Sequence, residues 1–418
     1  MRLLPAKKHM TEETITTAFT GLFQDEARLA VDRALAELRA GRPILLESAQ
    51  GQAMLAAVDA IAPSVFEAVV EEPELELSLV ITKARAQVVG LPVEGAVSLP
   101  IAGLDRAAIW RLAGGSDAVR PTVWEPADAM ALMGLELCKQ ALLLPAVLIA
   151  EIRGSAGLPP IHRLGLAAAQ AALGESRHRL EIVSRARIPL AVDIEASFVV
   201  FRTPGLRDQL AIVIGDPDPA AAVPLRLHSA CLTGDLFGSL RCDCGDQLRK
   251  AVARLAEAGG GVLLYLDQEG RGTGLRNKMR AYALQDGGLD TIDADAVLGY
   301  GADERRYDIA AAMLLQLGFS QVRLLTNNPA KIAALRRTGI EVREMQPLAG
   351  MVTAENHSYL SAKVRRAGHI LEDLAEPPRR AEGGWHRRAG RRQRAGPRRA
   401  GRRWGPRSIH RGPGSRIG

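Results

Sequence analysis

Apolar residues recur along this chain at two spacings, one helical and one alternating. From Asp25 onward, ARLAVDRALAELRAG puts Leu29, Ala30, Ala34, Leu35 and Leu38 on one helical face and stops at Gly41, before the strand-like RPILLES. SLVIT (78–82) and AVSLPI (96–101) read as strands, ADAMALMGLELCKQALLL as a helix and AVLIAEI (146–152) as a strand. Residues 26–152 are therefore expected to form one α/β domain, preceded by an irregular leader over 1–25 and closed by the breaker cluster GSAGLPP (154–160).

Residues 153–184 read as a linker carrying a short helix, LGLAAAQAAL, and a second α/β domain is expected over 185–376. There EASFVVF alternates as a strand, followed by strands LAIVIGD (210–216), VPLRLHS (223–229), the buried GVLLYL, QVRLLT and EVREM. Helices are predicted for DQLRKAVARLAEA, GLRNKMRAYALQ, DIAAAMLLQLG and NPAKIAALRRTG, the last with Pro329 in its first turn. No internal repeat is visible. The fold class that follows is α/β (α+β), with two mixed-sheet domains.

Length and composition fit this picture: 418 residues, 47% hydrophobic and 24% charged, suit a globular protein of two or three domains. Aromatics at 4% leave few side chains for stacking on nucleic-acid bases. The net charge of +7 is misleading, because residues 377–418 hold 14 Arg and one Glu and leave residues 1–376 at −6. That tail of Arg, Gly, Pro and Ala has almost nothing apolar to bury and is expected to be disordered. An RNA- or DNA-binding arm is its functional reading; a solvated extension or out-of-frame translation of a GC-rich gene is the plainer one. With no long apolar run and no secretion signal, neither a membrane partner nor export is expected, and the cytoplasm is the default compartment.

Cys231, Cys242 and Cys244 fall within 14 residues, apart from Cys138. In a reducing compartment this points to metal or catalysis rather than disulfides. Three thiolates can hold Zn(II) at three tetrahedral corners and leave the fourth for water, which then becomes a hydroxide nucleophile near neutral pH. Three buried structural cysteines, or a closed site completed by His228, are the alternatives.

The surrounding segments, HSACLTGDLFGSLRCDCGDQL, YLDQEGRGTGLRNKMRAYALQD, ADERRYDIAAAMLLQLG and VRLLTNNPAKIAAL, resemble GTP cyclohydrolase II in order from about residue 203 to 372. The resemblance implies hydrolysis of GTP to formate, diphosphate and 2,5-diamino-6-ribosylamino-4(3H)-pyrimidinone 5′-phosphate, the first step of riboflavin biosynthesis, with one zinc per subunit, Mg(II) on the substrate phosphates and a homodimer. It implies Cys231, Cys242 and Cys244 as zinc ligands, the bound hydroxide attacking guanine C8, and Tyr282 near the reacting base. Asp303 matches the family's proton acceptor and Arg305 its nucleophile at the α-phosphate. A guanidinium stays protonated, however, and more commonly clamps phosphoryl oxygens, so the role of Arg305 stays open. Nucleotide contacts carry over to Arg226, Leu227, His228, Ser229, Gln247, Glu269, Gly270, Arg271, Thr291, Thr326 and Lys331. Ala230 stands where many family members have Glu, leaving only its backbone to serve.

The glycine-rich turn after GVLLYL is neither a dinucleotide fingerprint, since Leu275 occupies the third glycine position, nor a P-loop. Without the motif, Asp303 to Arg306 would read as a capped helix start, Tyr282 as a core tyrosine, and Asn328 with Lys331 as a helix cap and a solvated cation. The first domain faintly resembles dihydroxybutanone phosphate synthase, but LESAQGQAMLAAVDA and EPADAMALMG lack that enzyme's acidic cluster and histidine. A degenerate structural or dimer-supporting domain, not a second active site, is expected there. A homologue acting on another purine nucleotide and a non-catalytic nucleotide sensor are the other functional readings.

Overall fold

The computed structural model describes residues 26–365 apart from 71, 73–74, 154–159, 176–179, 192–193, 204–207, 358–359 and 362–363. The expected leader, most of the breaker cluster and the Arg-rich tail lie outside the described residues. Two mixed seven-stranded sheets with helices carry the fold. The first contains β1 (Ile44–Ser48), β2 (Gly51–Ala57), β3 (Leu77–Ile81), β4 (Val97–Pro100), β5 (Glu125–Pro126), β6 (Ala146–Ile152) and β7 (His162–Gly165), in the order β5-β4-β3-β6-β2-β1-β7. All its pairings are antiparallel except β1 with β7. Residues 162–165, placed in the linker by the sequence pattern, thus close this sheet: HRLG is too short to show alternation.

The second sheet holds β8 (Glu181–Leu190), β9 (Ile194–Arg202), β10 (Gln209–Gly215), β11 (Val223–Ser229), β12 (Gly260–Leu266), β13 (Gln321–Leu325) and β14 (Glu341–Gln346), in the order β14-β13-β11-β12-β10-β9-β8. β8 escapes sequence reading because it is an edge strand exposed along nearly its whole length, so no apolar face marks it. β12, β11, β13 and β14 run parallel, and β10, β9 and β8 continue antiparallel. From β11 the chain moves one way to β12, then returns to the other side of β11 as β13. That reversal opens a crevice at the carboxyl ends of β11 and β13, where ligands bind in open α/β sheets.

Helices α1 (Glu26–Arg39), α2 (Pro63–Val70), α3 (Lys83–Val88), α4 (Arg106–Gly114), α5 (Ala129–Gln140) and α6 (Leu166–Glu175) belong to the first half. The second half has α7 (Leu232–Asp235), α8 (Cys244–Glu257), α9 (Leu275–Asp286), α10 (Thr291–Val297), α11 (Asp308–Gln316) and α12 (Pro329–Arg337). The α1, α5 and α6 side chains bury one face of the first sheet. Its other face is covered by α2 to α4 and also by Ala281, Ala294, Leu298 and Tyr300, which come from the second half. The halves therefore share a core.

A fully buried arginine sits at this junction. Arg85 donates from Nε to Leu112 O (2.7 Å), from Nη2 to Gly115 O (2.7 Å) and Arg111 O, and from Nη1 across the halves to Val297 O (3.1 Å). Burial lowers its pKa to about 10, which still leaves it charged at neutral pH. Replacing Arg85 with Met keeps the apolar stem but strands these carbonyls, and a loss of about 3 kcal/mol is expected as a lower urea midpoint. An unchanged midpoint would show that the carbonyls find other donors.

Candidate functional site

The crevice at the strand ends is built by the loops that follow three parallel strands. Ser229 closes β11, and Ala230 and Cys231 follow; Leu266 closes β12 ahead of the Glu269–Gly272 turn; Leu325 closes β13 ahead of Thr326 to Asn328. Strand alternation decides which β11 side chains reach the crevice. Val223, Leu225 and Leu227 enter the core on one face, so Arg226 and His228 turn to the other.

The three sulfurs of Cys231, Cys242 and Cys244 lie within 4.8 Å of one another, and Cys231 and Cys242 are 3.6 Å apart. A tetrahedron with Zn–S bonds of about 2.3 Å has S···S edges of about 3.8 Å, so the donor set fits Zn(II). All four cysteines are free thiols. The Cys231 thiol is held far below the ordinary value, first by hydrogen bonds from the Cys242 and Cys244 thiols, then by the Lys278 ammonium at 3.1 Å. Cys242 is pushed up to about 11, chiefly by its bond to Cys231, and Cys244 is raised well above the ordinary value. One negative charge is thus easy to place on the trio and further ones need a cation. Gly234 packs against the cluster: a Cβ there would stand 2.8 Å from Cys242 Sγ and 3.1 Å from Cys231 Sγ.

The loop carrying Cys231 is pinned without a side chain at position 230. Cys231 N donates to Asp235 Oδ2 (2.9 Å), Leu232 N donates to Glu269 Oε2 (2.6 Å), and Ala230 N donates to Leu266 O (2.8 Å). Lys278 Nζ donates to Thr233 Oγ1 (2.9 Å) and Glu269 Oε1 (2.8 Å) as well as to Cys231. Burial lowers the pKa of Lys278, but Glu269 and Cys231 outweigh it and raise the value overall. Lys278 and Asp235 are absent from the sequence-based candidates. The signal for Lys278 was available, since it lies one helical turn before Tyr282 and shares its face.

His228 stands outside the three-sulfur group. It is buried, stacked on Tyr265 with centroids 5.5 Å apart, and turns Nε2 to both oxygens of Asp235 at 3.1 Å. Burial lowers its pKa and outweighs the opposing effect of Asp235.

Most other candidates meet in the same cavity: Arg226, Ser229, Ala230, Gln247, Glu269, Gly270, Arg271, Tyr282, Thr291, Arg305, Thr326 and Lys331 all line it with the cysteines and His228. Leu227 does not, because its side chain is core; its carbonyl accepts from Lys331 Nζ at 2.8 Å. Asp303 is not among the lining side chains either; it is exposed and accepts from Arg305 Nε (2.8 Å) and Nη2 (2.6 Å). Desolvation would raise the Asp303 pKa, but the bond and charge of Arg305 hold it below the ordinary range. Arg226, pushed down to about 10 by burial, donates to Leu325 O (2.9 Å) and to Gln247. Asn328 caps α12 through Ala330 N (3.0 Å), whereas Lys331 is buried, not solvated. Arg241 and Lys278 lie 4.7 and 5.7 Å from the centroid of the Tyr282 ring.

Arg271 adopts φ +62°, rare for a side-chain-bearing residue, and its Nη1 lies 3.6 Å from Asp295 Oδ2. Such strain costs about 1 kcal/mol and concentrates at functional sites. Asp295 also lines the cavity and was not a sequence candidate; its signal is the helical spacing from Thr291. Burial raises its pKa to about 7, against the pull of Arg271.

Gly234→Ala should weaken Zn(II) binding about tenfold or more, read by chelator competition, because its methyl group intrudes on two sulfurs. For Asp295 the folded pKa exceeds the unfolded one, so the native state binds more protons and stability falls as pH rises from about 4 to 7. The urea midpoint of wild type should therefore fall relative to Asp295→Asn across that range; parallel curves would refute the raised pKa.

Residues 181–347 match the family model described as GTP cyclohydrolase II. A GTP cyclohydrolase-2 of Xylella fastidiosa is 45% identical over 356 residues, covering 84% of this chain and 89% of that protein. A GTP cyclohydrolase-2 of Azospirillum brasilense is 41% identical over 369 residues, covering 83% of this chain and 95% of that protein. Among solved structures, RibBX, a two-domain 3,4-dihydroxy-2-butanone 4-phosphate synthase from A. baumannii, is 15% identical with a TM-score of 0.29, covering 76% of this chain and 99% of that one. The sequence matches run well beyond the second sheet into the first, and on their identity and extent the chain belongs to the GTP cyclohydrolase II family.

Proposed function

We propose that this chain hydrolyses GTP to formate, diphosphate and 2,5-diamino-6-ribosylamino-4(3H)-pyrimidinone 5′-phosphate, the first step of riboflavin biosynthesis. The observation that carries the reading is one cavity that joins a three-sulfur cluster to Arg226, Arg271, Arg305 and Lys331, a soft metal site beside cations suited to phosphates. Cys231, Cys242 and Cys244 would hold Zn(II), which when bound supplies Lewis acidity and lowers the pKa of water, the chemistry that opening a ring at guanine C8 requires. Mg(II) would enter with the substrate phosphates.

The chain's own residues divide the remaining work. Lys331, Thr326 and the N–H groups at the start of α12 suit phosphate oxygens. Arg226, His228, Ser229, the backbone of Leu227 and Ala230, Gln247, Glu269, Gly270, Arg271 and Thr291 would complete the nucleotide site. Tyr282, its ring beside Arg241 and Lys278, would orient the base or carry a proton on its hydroxyl. Asp303 fixes the plane of Arg305 through two hydrogen bonds, and a protonated guanidinium in that grip clamps phosphoryl charge more readily than it attacks phosphorus.

A homodimer is part of the proposal, with Leu236 and Phe237 exposed at 70% and 78% beside the cysteine loop. So is a cytoplasmic location; among the described residues no helix is long and apolar enough to cross a membrane. The first sheet is read as a supporting layer without chemistry of its own. In this half Glu47 is engaged by Arg163 (2.6 Å) and Asp59 by Arg280 (2.8 Å).

Zinc-loaded protein should release both formate and diphosphate from GTP, and Cys242→Ser should abolish both. Folded, zinc-replete protein that releases neither would overturn the reading.

A further inference from the structure

We propose that Lys139, in the last turn of α5 on the first sheet, is a positioning residue that holds the turn over residues 301–305, and with it Asp303 and Arg305, at the cavity of the second sheet. The proposal rests on the reading of Asp303 and Arg305 as working residues.

Lys139 Nζ bridges the halves to Glu304, 2.9 Å from Oε1 and 3.1 Å from Oε2. The same Glu304 carboxylate accepts Gly301 N at 2.8 Å and so closes the turn on itself. The Glu304 backbone faces the other way: its N–H donates to Arg271 O at 3.2 Å, and a Cβ on Gly272 would stand 2.8 Å from Glu304 O. Glu304 is thus wedged between the strained Arg271 turn and the end of α5, directly between Asp303 and Arg305. Only a glycine at 272 permits that approach.

The exit of α5 touches the second half repeatedly. Leu143 O accepts Tyr300 OH (2.7 Å) and Leu142 O accepts Asn277 Nδ2 (3.3 Å). From the N-cap of α3 in the same layer, Thr82 Oγ1 donates to Gly299 O (2.7 Å). The segment leading into the turn is therefore held at Gly299, Tyr300 and Glu304 by the first half.

The side chains of Lys139 and Glu304 are 28% and 23% exposed, and ion pairs this accessible add little to global stability. What the pair supplies is direction. Loss of the pair should leave the nucleotide contacts at the ends of β11 and β13 in place but let the Arg305 guanidinium wander, which lowers turnover more than binding.

The test is steady-state GTP hydrolysis by full-length, zinc-loaded wild type, Lys139→Ala, Lys139→Arg, Glu304→Gln and the double variant Lys139→Ala/Glu304→Gln, with Arg305→Ala alongside and thermal midpoints measured for each. Lys139→Ala is expected to lower kcat about tenfold with KM within about twofold and a nearly unchanged midpoint. Lys139→Arg should recover most of the loss, Glu304→Gln should reproduce it, and the double variant should be no worse than either single one. Wild-type kcat in Lys139→Ala while Arg305→Ala is inactive would overturn the positioning role alone. A loss of activity that follows the thermal midpoint and is not recovered by Lys139→Arg would also overturn it. Full activity of Arg305→Ala would instead remove the underlying reading of the turn.

Discussion

Three cysteine sulfurs held within 4.8 Å of one another in a mostly buried pocket are the constraint on which the rest of this structure depends. Thiolates in a low-dielectric site repel, and here a single negative charge spread over hydrogen-bonded thiols is the arrangement the chain can support unaided, with Lys278 as its nearest cation. The sulfurs can approach only because Gly234 leaves room for them and because Asp235 and Glu269 tie down the backbone at Cys231 and Leu232. Those two acids are in turn fixed by Tyr265 on β12 and by Lys278 on α9. Side chains from strand β12, helices α7 and α9 and the Glu269 turn thus hold the cluster in a geometry suited to a divalent cation.

The reversal of strand order at β11 sets what can surround that cluster. Loops after β11 and β13 leave toward opposite faces of the sheet, α8 packing on one and α12 on the other, so the strand ends between them form a crevice. The cations Arg226 and Lys331 can be buried there because carbonyl oxygens of Leu325 and Leu227 accept their hydrogen bonds. The first sheet meets this arrangement through α9 and α10, whose apolar faces complete its core. Helices that wall the cavity are therefore also structural members of the other layer.

Much of this was legible in the residues themselves. Helices α1, α5, α8, α11 and α12 follow from apolar spacing, and β9 to β13 from alternation or short apolar runs bounded by turns. The cysteine spacing and the segments around Glu269, Asp303 and Asn327 marked the cavity, and sixteen of the eighteen named candidates line it. Leu227 and Asp303 fall outside for a positional reason: one side chain alternates into the core, and the other, exposed, reaches the cavity only through its bonds to Arg305.

The sequence by itself determined the periodicities, the two α/β halves and the chemistry of the cysteine-rich segment, because each depends on residues close together in the chain. Only tertiary structure decided that His228 pairs with Asp235 rather than joining the sulfurs, and that Lys331 is buried against a strand carbonyl. It also decided that Lys139 reaches Glu304, 165 residues away. Hydrogen bonds and burial between distant segments exist only once the sheets have packed, and no local spacing encodes them.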